Sequence, residues 1–192
     1  MKFYSSICGN YDSLRDDIEV FNDSEQDLFK NPVMNSKRYK VLSHKFFDED
    51  TCWVDGNIIP LDKDKISELL GDYDVVVFGH PYRKNIYLEA VACQDRLPVV
   101  MQPKLLEQIM AYKQEGFNGE QLAECGVILR KNNEAVKRFN DMWWSEICRW
   151  QWRDQISFPY CVWKSGVKAK YLEGNVRNHN LFKYEQCNHL PR

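Results

Sequence analysis

Three features of the chain predict an α/β domain. Short strand-like runs alternate with helix-like segments, one of those runs is apolar throughout, and the longest helix-like segment carries an apolar stripe at helical spacing. At 192 residues the chain has the length of a single domain, taken as 1–192, enough to bury roughly 70% of the surface its unfolded form exposes.

The first strand is expected at 3–8, where Phe3-Tyr4-Ser5-Ser6-Ile7-Cys8 runs into Gly9-Asn10. Further short strands are expected at 17–21, 38–42 and 51–54, with a polar loop over 22–36 that contains Pro32. The run Asp74-Val75-Val76-Val77-Phe78 lies between Gly71 and Gly79; a strand apolar on both faces reads as central and parallel. Residues 125–129 repeat that style. Helices are expected at 104–115, which stops at Gly116, and at 132–150, where Val136, Phe139, Trp143, Ile147 and Trp150 share a face and Asn132 or Asn133 caps the start. Residues 154–164 form a weaker helix, because Pro159 interrupts them. The chain beyond Gly174 reads as irregular.

Composition narrows the function classes. Net charge is -2 and the sequence pI is near 6.1, so no global basic field points to nucleic acid. Seven cysteines without Cys-x-x-Cys spacing argue against a zinc site or disulfide framework and for buried thiols in a reducing compartment. No apolar run approaches a membrane span, and the N-terminus enters a strand at once. A soluble, cytoplasmic protein is expected.

The segment richest in chemistry is Cys52-Trp53-Val54-Asp55-Gly56-Asn57. Asp-Gly is a leading turn dipeptide. A carboxylate and an amide oxygen one residue apart at a strand end can also reach one hard cation together. In open α/β sheets ligands bind beyond the carboxyl ends of strands. Gly9, Asn10 and Asp12, then Asp55 and Asn57, then His80 and Arg83 all fall at such ends, a convergence that raises a metal-and-phosphate site above a simple turn.

The blocks Tyr4-Ser5-Ser6-Ile7-Cys8-Gly9-Asn10-Tyr11-Asp12, Trp53-Val54-Asp55-Gly56-Asn57-Ile58 and Phe78-Gly79-His80-Pro81-Tyr82-Arg83 are followed in order by 122–130, by Trp143-Trp144-Ser145-Glu146 and by 153–160. Together they resemble a glycosyltransferase-like family found in bacteria, plants and large algal viruses. The resemblance implies a GT-A type fold, a Rossmann-like mixed sheet flanked by helices, acting as a hexosyl- or deoxyhexosyltransferase. It would bind a nucleotide diphosphate sugar, a UDP-sugar by expectation, with Mn²⁺ or Mg²⁺ and a carbohydrate or glycoconjugate acceptor. Asp55 and Asn57 stand in the place of its metal motif, with His179 as a candidate third ligand beside His80 and His189. Ser6, Gly9, Asn10, Tyr11 and Asp12 would surround the nucleoside and Asp23 would face the base, while Arg38, Lys40 and His44 would reach the diphosphate along with His80 and Arg83. Asp154-Gln155 matches the acid-amide pair of retaining enzymes, although an Asp at that place also starts helices well. Glu124, before an apolar strand, is the candidate base of an inverting mechanism. A nucleotide-sugar hydrolase and a non-catalytic nucleotide-sugar binding domain are the alternatives.

Overall fold

The structure is a computed structural model that describes residues 1–9, 15–22 and 28–185. Its centre is a six-stranded sheet built from β1 (Lys2–Ile7), β2 (Glu19–Asn22), β3 (Thr51–Val54), β5 (Val75–Gly79), β6 (Ala123–Arg130) and β7 (Ala169–Leu172). Their order is β2-β1-β3-β6-β5-β7. β1 runs parallel to β2 and β3, β5 runs parallel to β7, and β6 alone is reversed between β3 and β5. This is a mixed, Rossmann-like sheet of GT-A type. A second small sheet pairs β4 (Ile58–Pro60) with β8 (Phe182–Tyr184).

Strand periodicity divides the core in two. Tyr4, Trp53, Val77 and Ile128 face one layer, packed against α3 (Ile86–Cys93), α4 (Gln102–Gln114), α5 (Glu134–Arg149) and α6 (Asp154–Ser165). Their neighbours Phe3, Cys52, Val76 and Leu129 face the other, covered by α2 (Lys63–Glu68) with Ile58 and Phe182 of the small sheet. Adjacent strand residues point to opposite faces, so a fully apolar run is what a sheet covered on both sides requires.

Several expectations change. Residues 38–42 are not a strand: α1 spans Pro32–Val41 and takes in the end of the expected loop. Asn31 accepts from the Val33 N–H and Pro32 occupies the first turn, a strong helix start that outweighs the alternating pattern of Arg38-Tyr39-Lys40-Val41. The 74–78 run is a buried interior strand but not a central one: it is fifth of six, beside the edge strand β7, and its other neighbour β6 is antiparallel. Pro159 does not break α6, which continues to a left-handed Gly166 cap at φ 70. α2, α3 and the small sheet were not foreseen. Among the described residues no disulfide forms: Cys8, Cys52, Cys93, Cys125 and Cys161 are buried, whereas Cys148 is exposed on α5. Among the described residues no helix is long and apolar enough to cross a membrane.

Candidate functional site

Because β6 is reversed, its amino end meets the carboxyl ends of β1, β3, β5 and β7 at one edge of the sheet, and the site forms there. At the end of β3 the chain turns through Asp55-Gly56-Asn57, closed by Ile58 N–H donating to the Asp55 carbonyl at 2.9 Å. The turn reading of this triplet therefore holds, and the turn leaves the Asp55 side chain facing the site. Asp55 Oδ1 accepts from Trp53 Nε1 at 2.8 Å and from Lys40 Nζ at 3.1 Å.

Lys40 lies on α1 and is 3% exposed. Its ammonium bridges Asp55 and Asp154, lying 2.8 Å from Asp154 Oδ2. Lys37, one helical turn earlier, reaches the same oxygen at 2.7 Å. Arg130, wholly buried at the end of β6, fixes this helix end. It donates to the Val41 and Lys40 carbonyls at 3.0 and 2.7 Å and to Tyr4 Oη, meeting acceptors that a helix terminus leaves open. Burial works against the Lys40 ammonium, yet Asp154 and Asp55 outweigh it and hold its pKa above the ordinary lysine range. Burial likewise opposes the Asp154 carboxylate, but Lys37 and Lys40 hold it well below the usual carboxylate range.

Asp154 is the first residue of α6, following Arg153 as cap. Its Oδ1 accepts from the Gln155 N–H at 3.1 Å, so both carboxylate oxygens are engaged. Glu124 differs. The β5–β6 register shifts between Val77 and Phe78, an irregularity of the kind that re-aims side chains beside active sites. Glu124 is 9% exposed, its Oε2 has no hydrogen-bond partner among the described residues, and Arg177 lies 3.6 Å from Oε1. Burial pushes its pKa up; Arg177 opposes that and Asp55 adds to it.

Asp55, Asn57, Glu124, Asp154, Gln155, Lys37 and Lys40 line one chamber of about 190 Å³. It opens into a cleft of about 570 Å³ that shares Lys37, Asp55, Asn57, Asp154 and Arg177 and adds Ser6, Arg96, Trp152 and Arg153. The structure thus gathers all three expected catalytic residues and both residues of the metal triplet. Ser6 joins them at the end of β1. Gly9, at φ 78, packs where a Cβ would come within 2.9 Å of Pro32.

Other expected residues lie elsewhere. Arg38 stacks over Tyr39 and Phe46, at 5.4 and 5.0 Å, and does not line the cleft. His44 faces α5, with Nε2 3.2 Å from Asp141 and Nδ1 3.2 Å from the Asn140 amide. His80 and Arg83 line a separate cleft, and both lie beside the buried Glu89. Asn10, Tyr11, Asp12, Asp23 and His189 lie outside the described residues. Lys37, Arg96, Arg153 and Arg177 were missed. Lys37 had a readable signal, its i,i+3 spacing from Lys40 on a helix that begins Asn-Pro.

Asp55 and Asn57 fit a divalent cation in part. Asp55 Oδ2 accepts no hydrogen bond from a described residue, and the unpartnered, buried Glu124 Oε2 lines the same chamber. Orphaned carboxylate oxygens of this kind suit a hard cation. Among the described residues no three His, Cys, Asp or Glu side chains form a ready ligand set, so such an ion would take further oxygens from a bound diphosphate, as Mg²⁺ commonly does. His179 does not supply the third ligand. Its ring packs against Phe78 and Phe182 at 5.1 and 5.8 Å, its Nδ1 accepts from the Leu181 N–H, and it does not line the chamber.

The fold is a mixed α/β sheet of GT-A type with carboxylates and cations gathered beyond its strand ends, and the family comparison places it in the glycosyltransferase-like class. The model of the family described as TOD1/MUCI70, glycosyltransferase-like domain, matches residues 5–191, and this chain belongs to that family. Among solved structures it is similar to one titled "Crystal Structure of A197 from STIV", at 10% identity and a TM-score of 0.40, covering 90% of this chain and 82% of that one. No curated protein matches the chain.

Proposed function

We propose that this domain transfers a sugar from a nucleotide diphosphate donor, a UDP-sugar, to the hydroxyl of a glycan or glycoconjugate. The observation that carries the reading is the Asp55–Lys40–Asp154 constellation on the floor of a cation-lined cleft at the carboxyl ends of the strands. Lys37, Arg96, Arg153 and Arg177 supply the charge that a diphosphate needs. Ser6 and the end of β1 border the same cleft.

In the transfer, the bond from the anomeric carbon to the diphosphate oxygen breaks and a bond to the acceptor oxygen forms. A Mn²⁺ or Mg²⁺ ion held by Asp55 and Asn57 would supply Lewis-acid assistance to the departing diphosphate. Lys37 and Arg177 would meet the negative charge growing there, in a site already shaped to receive it. We assign retention to the Asp154-Gln155 pair: the amide side chain lines the chamber, and Asp154 is fixed by two lysines beside it, with the acceptor proton passing to the leaving oxygen. A second reading rests on Glu124. With a free oxygen and a pKa raised by burial, it could take the acceptor proton directly in an inverting course.

Calorimetric titration with UDP-sugars, with and without Mn²⁺, tests the proposal. Asp55→Ala is expected to abolish the metal-dependent part of donor affinity. Wild-type affinity for UDP unchanged by EDTA overturns the metal role, and no binding of any nucleotide sugar overturns the transferase reading. The product anomer, read by NMR, decides between the two courses.

A further inference from the structure

A cavity of about 820 Å³ lies outside the site just described, at the ends of β5 and β7 and the approach to β6. Its volume suits a small organic ligand. Pro81, Leu122, Tyr171 and Leu172 give it an apolar lining, and its charges balance, Arg83 and Lys84 against Glu120 and Glu173. His80, whose pKa burial pushes down, adds no charge at neutral pH. The Asp55 cleft is different: its four cations outnumber its two carboxylates. One cavity suits an anion, and the other suits a neutral molecule with an apolar face and many hydroxyls.

The two cavities share walls. Leu122 lines the large one and Glu124 lines the chamber, two residues apart along an extended chain, or about 7 Å. Asn175 borders the first and Arg177 the others. Between them Glu89, fully buried, clasps an arginine from each side: Oε1 accepts from Arg153 at 2.7 Å and Oε2 from Arg83. A buried carboxylate satisfied by two guanidinium groups holds the two arginines, one from each lining, in fixed positions. Gln121, on the cavity wall, holds φ 64, a strained conformation for a residue with a Cβ and of a kind that clusters at ligand sites.

We propose that this cavity is the acceptor subsite and takes a neutral oligosaccharide, presenting one hydroxyl toward Glu124. The inference rests on the transferase reading for the chemistry of its ligand. Saturation-transfer NMR with a panel of neutral trisaccharides of glucose, galactose, mannose and rhamnose, without nucleotide, tests it directly. At least one trisaccharide is expected to bind the wild-type protein and to lose tenfold or more in affinity to both Glu173→Trp and Lys84→Trp, two exposed rim positions whose variants should melt near the wild-type temperature. The same spectra with UDP-glucose monitor the donor cleft. Trisaccharide binding that both variants leave intact, or binding by no trisaccharide while UDP-glucose binds, overturns the acceptor site and leaves the transferase reading standing. Trisaccharide binding lost in both variants, together with no binding of any nucleotide sugar in the calorimetric titrations, keeps the carbohydrate site and removes the transferase reading.

Discussion

Lys40 is the residue on which the site turns. It is nearly inaccessible, yet its ammonium holds two carboxylates from different elements and lies over the Trp53 ring at 5.4 Å. Removing one partner of a buried charge network leaves the other uncompensated, which typically costs about 3–5 kcal/mol. Lys40→Met is therefore expected to lower unfolding stability by about 3 kcal/mol in urea titrations. Lys37→Met should cost less, since Lys37 is 20% exposed and Lys40 still neutralises Asp154. Equal losses in the two variants would refute the bridging role of Lys40. The sequence pointed to Lys40 but paired it with Arg38, because residues two apart share a face only in a strand. On the helix that forms, Lys37 and Lys40 face the site together and Arg38 turns to Phe46. One wrong period exchanged one cation for another.

At the scale of elements, helix starts hold the framework around the site. Asn133 caps α5, accepting from the Val136 N–H at 2.9 Å, while its amide donates to Asp74 Oδ1 at 2.8 Å, before β5. Asn133→Ala should cost about 1–2 kcal/mol by thermal or chemical unfolding, and Asn133→Asp, which keeps the cap acceptor but faces Asp74 with a like charge, should recover only part of that. This cap was legible in the sequence, as were β1, β3, β6 and α4 within a residue or two, because each is announced by local pattern or turn chemistry. α3 was not: its start is set by the Asn85 side chain accepting from the Tyr87 N–H, in a stretch between β5 and α4 to which the sequence assigned no element. The small β4–β8 sheet pairs segments more than 120 residues apart, which no local pattern reports.

At the scale of the molecule, two buried carboxylates pull stability in opposite directions with pH. The Asp154 pKa is depressed in the folded state, so its contribution is present above the unfolded value, about 3.9, and is lost as pH falls toward the folded value. The Glu124 pKa is raised, so folding is penalised as pH climbs above about 4.3 and the full penalty holds above the folded value. Melting curves of Glu124→Gln should accordingly show a higher midpoint than wild type near pH 8 and none of that gain near pH 4. A variant no more stable at pH 8 would mean that Glu124 carries no such strain.

The sequence by itself determined the α/β class, the buried Val75–Gly79 strand and the Asp55 turn, because periodicity and turn chemistry are local properties; the candidates Asp154 and Gln155 came from the family resemblance. Only the tertiary structure decided which cations join them. The reversal of β6 brings Glu124 beside Asp55, and α1 carries Lys37 and Lys40 across to the start of α6, more than 100 residues later. It also set His179 among aromatic rings and opened a second cavity behind Glu89. Those arrangements depend on long-range pairing and on charges that stay buried only when their partners arrive, and neither is written in any single stretch of the chain.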